Sequence, residues 1–78
     1  EPARQWLRRT LTLADKEGLP LEHQAPIRNS LALLLLDSDG AAEAASVLQP
    51  LAHHPSLPVR VRLFLLANYA VALAAQDQ

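Results

Sequence analysis

The sequence predicts an all-α chain of about four helices with antiparallel neighbours. Leu and Ala, which are strong helix formers, supply most of its apolar residues, whereas only seven of the 78 residues are Val, Ile or Thr. The apolar residues recur at three- and four-residue spacing, which is typical of a helix that packs one side against a core. Prolines and glycines divide the chain into four segments, so four helices are expected.

The first helix is expected over residues 3–17. Pro2 suits a first helical turn, where its missing N–H costs nothing, and Gly18 is a natural C′ residue. Trp6 lies on the apolar stripe of this helix, which favours packing in the core over a role in binding. The stripe consists of Ala3, Trp6, Leu7, Leu11 and Ala14.

The second helix is expected over residues 24–37 and the third over 40–53. Because Pro26 is tolerated only within a first turn, the second helix should begin at most three residues before it. From Ile27 onward this helix is apolar on nearly every side, which predicts cover on more than one face. The third helix is rich in alanine, and its apolar stripe is Ala41, Ala44, Ala45, Val47, Leu48, Leu51 and Ala52.

The fourth helix is expected over residues 59–75 and has almost no polar face. Between Leu63 and Ala75 the only polar groups are the side chain of Asn68 and the hydroxyl of Tyr69. This apolar run is shorter than the roughly 20 residues that a membrane-spanning helix needs, so membrane insertion is not expected. The open face of the helix should instead be buried against another copy, an adjoining segment or a partner.

Charge and cysteine content exclude two kinds of site. Seven basic and eight acidic residues are mixed along the chain, so no basic stripe is present for nucleic-acid binding. The chain has no cysteine, which excludes disulfides and thiolate metal sites and leaves the compartment open, with the cytoplasm slightly favoured. The start at Glu1 and the lack of methionine suggest a fragment or a processed product.

The acidic turn at residues 37–40 could suggest a calcium site. Asp37-Ser38-Asp39-Gly40 has the composition of the start of a calcium loop, but Ala42 and Leu48 stand where an EF-hand needs Gly and Glu. A turn between helices is therefore favoured, with Asp39 as the N-cap of the third helix.

Histidines and serines offer no catalytic or metal-binding pattern. His53 and His54 point about 100° apart at a helix end, which favours interaction with the helix dipole over metal binding. Ser46, His53 and Asp39 could form a Ser–His–Asp set on paper, but nothing places a nucleophile on a strained turn or forms an oxyanion hole. No enzyme activity, metal or cofactor is expected.

Residues 30–40 and 68–78 match each other at a shift of 38 residues. Small residues align with small ones and large apolar residues with large ones, which indicates that the second and fourth helices are copies of a repeated helix. The aligned pairs include Ser30 with Asn68, Leu31 with Tyr69, Ala32 with Ala70, Leu33 with Val71, Leu35 with Leu73, and Asp39 with Asp77.

The segment that contains Ala32, Ala44 and Pro55 resembles a tetratricopeptide repeat, a helix–turn–helix unit of about 34 residues with helices A and B. Ala32 and Ala44 match the positions where the two helices approach closely, and Pro55 lies within one residue of the closing proline of that family. Arg28 departs from the pattern, since an aromatic residue is usual there, and the spacing of the units is four residues longer.

The resemblance implies stacked antiparallel helix pairs that form a right-handed superhelix. Residues 3–17 would be helix B of one repeat, residues 24–56 a full repeat, and residues 59–75 helix A of the next repeat. Another solenoid of helical pairs and a plain helix bundle are the alternative folds.

The resemblance also implies a protein-interaction module, in which the A helices line a concave face that holds a partner helix or extended peptide. Asn29 and Asp37 would be its hydrogen-bonding anchors. Because Leu33 and Val71 occupy this face with no Lys nearby, an acidic peptide is not the expected partner. The expected partner-binding residues are Asn29, Leu33, Leu36, Asp37, Ala67, Val71 and Ala75.

The alternative function is structural. In that case the chain is a slice of a larger repeat protein, such as a secretion or assembly factor or a transcription regulator. It would extend the superhelix or self-associate through its C-terminal helix, and it would bind no ligand of its own.

Overall fold

The computed structural model describes residues 2–52 and 54–76, and within these ranges the chain forms four α-helices and no strand. The all-helical prediction is confirmed, and the expected boundaries hold to within one residue except at the start of the second helix. His53, expected to end the third helix, and Asp77, which the repeat alignment includes, lie outside the described residues. The helices are α1 (Pro2–Lys16), α2 (Leu21–Leu36), α3 (Ala41–Ala52) and α4 (Val59–Gln76).

Helix α2 is at the centre of the fold, since it contacts each of the other three helices. Helix α3 also packs against α4, and the short connections at 17–20 and 37–40 turn each helix back along the previous one. The Cα atoms occupy a flat body of 35 × 30 × 15 Å. This thickness fits two layers of helices at the usual distance of about 8–10 Å between their axes.

The core combines alanines and leucines from α2, α3 and α4. Ala32 and Ala44 have no exposed surface, and every residue of the predicted α3 stripe is buried except the half-buried Ala41. Leu57, in the connection to α4, is also buried, although no periodic pattern marks it in the sequence. The most deeply buried leucines are Leu31, Leu35, Leu48, Leu51 and Leu65.

The structure corrects the expected stripe of α1. Leu7, Leu11 and Ala14 pack toward the core, whereas Trp6 is 64% exposed, so its assignment to the core is wrong. Within the described residues the backbone of α1 packs closely only against α2, which covers one side of it. The guanidinium of Arg9 lies 5.2 Å from the centroid of the Trp6 ring, and this cation–π contact partly shields the exposed ring.

The start of α2 also differs from the expectation. The helix begins at Leu21, three residues early, and Pro26 lies in its second turn. Gln24 stabilises this turn from a buried position, because its Nε2 donates to the Leu19 carbonyl at 2.7 Å and its Oε1 accepts from Arg28 Nε at 3.0 Å. These bonds, together with burial, hold the turn in spite of the backbone N–H that proline lacks.

Arg28 is buried at a position where three helices meet. Its Nη1 donates to the carbonyl of Val47 in α3 at 2.8 Å, and its Nη2 lies 3.7 Å from Asp15 Oδ1 at the end of α1. Together with Gln24, Arg28 therefore forms a polar network between α1, α2 and α3.

The two glycines serve different turns. Gly18 has a φ of +75°, which confirms it as the C′ residue of α1. The carbonyl of Gly40 accepts from Ala44 N–H at 2.8 Å, so Gly40 is the N-cap residue of α3, and the prediction of Asp39 in this role is wrong. A Cβ on Gly40 would lie 2.8 Å from Leu35 Cδ2, and this close approach explains why glycine precedes the helix.

Helix α1 is also held to α3 by a bidentate ion pair. Arg8 donates to both carboxylate oxygens of Glu43, with distances of 2.8 Å from Nε and 2.6 Å from Nη2. The hydrogen bond from Arg8 lowers the pKa of Glu43 below its ordinary value, and the bond to Glu43 raises the pKa of Arg8.

Candidate interaction surface

Helices α2 and α4 are joined by a hydrogen bond between two side-chain amides. Asn68 Nδ2 donates to Asn29 Oδ1 at 2.7 Å. Beside this bond the two helices and the end of the α3–α4 connection enclose an open groove of about 320 Å³. The groove is lined by Glu22, Ala25, Pro26, Asn29, Leu57, Pro58, Val61, Phe64 and Leu65.

The groove is apolar with two polar groups. Seven of its nine lining residues are apolar, which matches the usual composition of binding sites for uncharged ligands and side chains. Phe64 is 65% exposed, whereas Leu57 and Leu65 are buried beneath the groove. Glu22 carries the charge of the lining, and the Oδ1 atom of Asn29 already accepts a bond from Asn68. The groove therefore favours an apolar occupant.

The predicted binding residues of α2 form a row that begins in this groove. Asn29 lines the groove, and Leu33, one turn further along, is 49% exposed. Leu36 is half-buried and packs against the core, and Asp37 is the exposed C-cap residue of α2. Of this row, Asn29 lines the groove, and Leu33 is an exposed apolar side chain one turn beyond it.

The predicted binding residues of α4 are all exposed, but they do not line the groove. Ala67 lies in a second, shallower hollow, together with Arg60, Leu63 and Phe64. Val71, which is 55% exposed, and Ala75 lie further along the helix, outside both hollows. Phe64 lines both hollows and so stands between them.

Sequence reasoning missed several residues that build the groove, notably Pro26, Leu57, Val61 and Phe64. Phe64 carries a detectable signal, since it is the only phenylalanine of the chain and lies in an otherwise aliphatic run. The position of Leu57 in a connection carries none, because a loop has no periodicity.

The outer face of α4 is apolar and uncovered by other described residues. Its large exposed side chains are Val59, Leu63, Val71 and Leu73, and Ala67, Ala70 and Ala74 lie between them. Residues 59–76 are long and apolar enough to cross a membrane by length and composition alone, a criterion that core helices of soluble proteins also meet. Only 11% of these residues are buried.

Of the residues considered in the sequence for metal binding or catalysis, Asp37, Asp39, Ser46 and His54 do not line the groove, and His53 lies outside the described residues. Within residues 2–52 and 54–76, no group of three or more His, Asp or Glu side chains is placed to hold a metal ion. Ser46 Oγ donates to the Ala42 carbonyl at 3.2 Å, and His54 Nδ1 accepts from Ser56 N–H at 3.4 Å.

Comparison of the chain with models of protein families, with curated proteins and with solved structures found no match.

Proposed function

We propose that this chain is a protein-interaction module that holds an apolar helix or extended segment of a partner protein in the groove between α2 and α4. The exposure of Phe64 in a largely apolar groove is the observation that carries the proposal. An aromatic side chain that is covered on binding contributes strongly to affinity, because it buries a large area with little loss of conformational entropy.

Stacked helix pairs of the tetratricopeptide kind would place this groove on a concave face. The complete burial of Ala32 and Ala44 supports α2 and α3 as helices A and B of one unit. Helices α2 and α4 are then successive A helices, and successive A helices line the concave face of such an array. The predicted residues Asn29 and Leu33 belong to the α2 side of this face.

A protein partner is favoured over a lipid bilayer because α4 is already packed along one side. Leu65 is 1% exposed and Ala72 fully buried, and Asn68 is bonded to Asn29 on α2. Insertion of α4 into a bilayer would separate it from these contacts and expose the core of the remaining helices.

Selection of helix-forming peptides from a displayed library on the immobilised chain tests this proposal. Pro26→Lys is the diagnostic variant, since Pro26 is exposed and lines the groove. Lysine restores the backbone N–H that proline lacks, and it can pair with Glu22 one turn earlier, so the fold should be retained. Because a charge in the groove opposes burial of an apolar ligand, the selected peptides should lose affinity by about tenfold or more.

Leu13→Glu is the matched control, because Leu13 is 58% exposed on α1 and does not line the groove. This variant should bind the selected peptides as the unmodified chain does. Equal binding to the Pro26→Lys variant would contradict the proposal. Flotation of the chain with phosphatidylcholine vesicles would favour a lipid surface instead.

A further inference from the structure

Two apolar faces lie on the first and last helices of the fold. On α1, Trp6 and Leu13 are 64% and 58% exposed, on a different side of the helix from the residues that pack toward α2. On α4, Leu63 and Leu73 are 62% and 44% exposed, with alanines between them. Neither face belongs to the groove, so each needs a separate explanation.

The repeat relates the open face of α4 to a buried face of α2. At the shift of 38 residues, Ala32 corresponds to Ala70 and Leu35 to Leu73. Ala32 and Leu35 are 0% and 1% exposed in the core that α2 shares with α3, whereas Ala70 and Leu73 are exposed. Helix α4 therefore exposes the face whose counterpart on α2 is covered by α3.

The same shift relates the open face of α1 to a buried face of α3. Ala44 corresponds to Trp6 and Leu51 to Leu13. Both α3 residues have no exposed surface, whereas both α1 residues are largely exposed. Helix α1 thus exposes the face that corresponds to the face of α3 packed on α2. Helix α4 exposes the face that corresponds to the face of α2 packed on α3.

We propose that copies of this chain associate head to tail, with the α1 face of one copy packed on the α4 face of the next. The resulting helix pair would have the order and direction of the α2–α3 pair within one chain, with the bulky Trp6 in the place of Ala44. The two faces differ in shape in the way that such packing needs. The bulky Trp6 and Leu13 project from α1, and Ala67, Ala70 and Ala74 leave a shallow strip on α4.

Charge and register agree with this arrangement. Arg28 bonds to the α3 backbone, and this bond marks which residues lie opposite one another in the α2–α3 pair. The equivalent antiparallel register between two copies places Ala70 opposite Trp6. It also brings the start of α4, with the exposed Arg60, beside the end of α1, where Glu17 is exposed. These residues carry opposite charges.

The expected interface is small. A contact between two helices along four turns buries on the order of 1,000 Å² in total, near the lower limit for specific interfaces. Association should therefore be weak and dependent on concentration. Because the two contacting faces are different, a pair of copies joined by one contact keeps a free face at each end, and longer oligomers should form as concentration rises. An assembly through two α4 faces would stop at a dimer.

Sedimentation equilibrium of the 78-residue chain from micromolar to millimolar concentration tests the proposal. The weight-average mass should rise beyond twice the monomer mass. Trp6→Glu removes the α1 face and Ala70→Glu the α4 face, and each variant alone should stay monomeric. In an equimolar mixture each variant supplies the face that the other lacks, so the mass should approach twice that of the monomer and go no higher.

Leu33→Glu is the matched control, since Leu33 is 49% exposed on α2 and belongs to neither face. This variant and Pro26→Lys should assemble as the unmodified chain does, which separates this proposal from the one for the groove. Circular dichroism and urea unfolding verify the fold of each variant, and Leu13→Lys replaces Trp6→Glu if the latter fails to fold. A monomer at all concentrations, assembly of Trp6→Glu alone, or a mixture that stays monomeric would overturn the proposal.

Discussion

Replacement of Arg28 by methionine should destabilise the chain, even though methionine is apolar and fits an irregular core space. Arg28 is 8% exposed and donates two hydrogen bonds within the core, to the Val47 carbonyl and to Gln24 Oε1. Methionine can make neither bond. The substitution therefore tests whether the polar network between α1, α2 and α3 contributes to stability or only occupies space.

The magnitude follows from the groups that lose a partner. Hydrogen bonds from a charged donor contribute about 1.5–3 kcal/mol, and a buried polar group without a partner costs about 1–3 kcal/mol. Gln24, at 2% exposure, is such a group, whereas Asp15 lies 3.7 Å from Arg28 with 57% of its side chain exposed and adds little. Because removal of a buried charge also recovers part of its desolvation cost, we expect a loss of about 2–3 kcal/mol.

Urea unfolding followed by circular dichroism at low protein concentration measures this loss, which corresponds to a decrease of about 10–20 °C in melting temperature for a chain of this size. In the double variant Gln24→Leu/Arg28→Met no glutamine oxygen is left unpaired. The cost of this variant should therefore be at least about 1 kcal/mol less than the sum of the two single costs. Asp15→Asn is the control and should change the free energy of unfolding by under about 0.5 kcal/mol.

Two results would refute this reasoning. Arg28→Met could leave the free energy of unfolding unchanged within about 0.5 kcal/mol. The bonds to Gln24 and Val47 would then be no more favourable than the bonds that the same groups make with water in the unfolded chain. Strict additivity of the Gln24 and Arg28 substitutions would show that the two side chains do not act as one network.

Three further predictions concern packing and charge. Gly40→Ala should lower the free energy of unfolding by about 1–3 kcal/mol, because its Cβ would lie 2.8 Å from a methyl carbon of Leu35 and 3.1 Å from the Leu35 carbonyl oxygen. An unchanged midpoint of urea unfolding would contradict this. Ala32→Trp should cost about 1–3 kcal/mol or more at a site with no exposed surface, and near-normal thermal stability would mean that α2 and α3 do not meet tightly there. The pKa of Glu43 is lowered by the hydrogen bond from Arg8, so its contribution to stability is present above its ordinary pKa of 4.5 and is lost as the pH falls through the lower folded value. Glu43→Gln should remove that part of the pH dependence, and parallel stability curves for the two proteins below pH 4.5 would count against it.

The helices could be predicted from the sequence because local signals agree with the final packing in most places. The α3 stripe is the clearest example, since all of its residues are alanine or aliphatic and the structure buries all of them except the half-buried Ala41. Gly18 likewise acts through its own backbone conformation, which no tertiary contact needs to create. Where a single local rule determines the outcome, the sequence is sufficient.

The predictions for Trp6 and for the start of α2 were wrong for a different reason. In both places the local sequence allows two conformations or orientations, and tertiary contacts decide between them. Trp6 and Leu7 are adjacent members of one wide apolar arc, and only the position of α2 decides that Leu7 is covered. The early start of α2 depends on the buried Gln24, whose bond to the Leu19 carbonyl outweighs the local preference against Pro26.

The groove was harder to predict than the helices because it depends on how two distant segments approach each other. The place of Asn29 on α2 predicts its exposure on that face, but its bond to Asn68 arises only when α2 and α4 pack side by side. Leu57 becomes part of the groove because the α3–α4 connection folds back onto the core. Periodicity describes one helix at a time and contains no information about such contacts.

Helix α4 is apolar on nearly every side, and this composition is explained if each side is covered by a different surface. Leu65 and Ala72 pack against the core, Phe64 faces the groove, and Leu63 and Ala70 lie on the outer face proposed to meet another copy. A helix that is apolar all round is expected where several surfaces cover it, and a helix with one exposed side would have a polar stripe there.

Because the groove and the outer face use different side chains, assembly would leave each groove open. A head-to-tail oligomer would then present several identical grooves, and a partner with repeated apolar segments would bind it more tightly than it binds a single chain, through effective concentration alone.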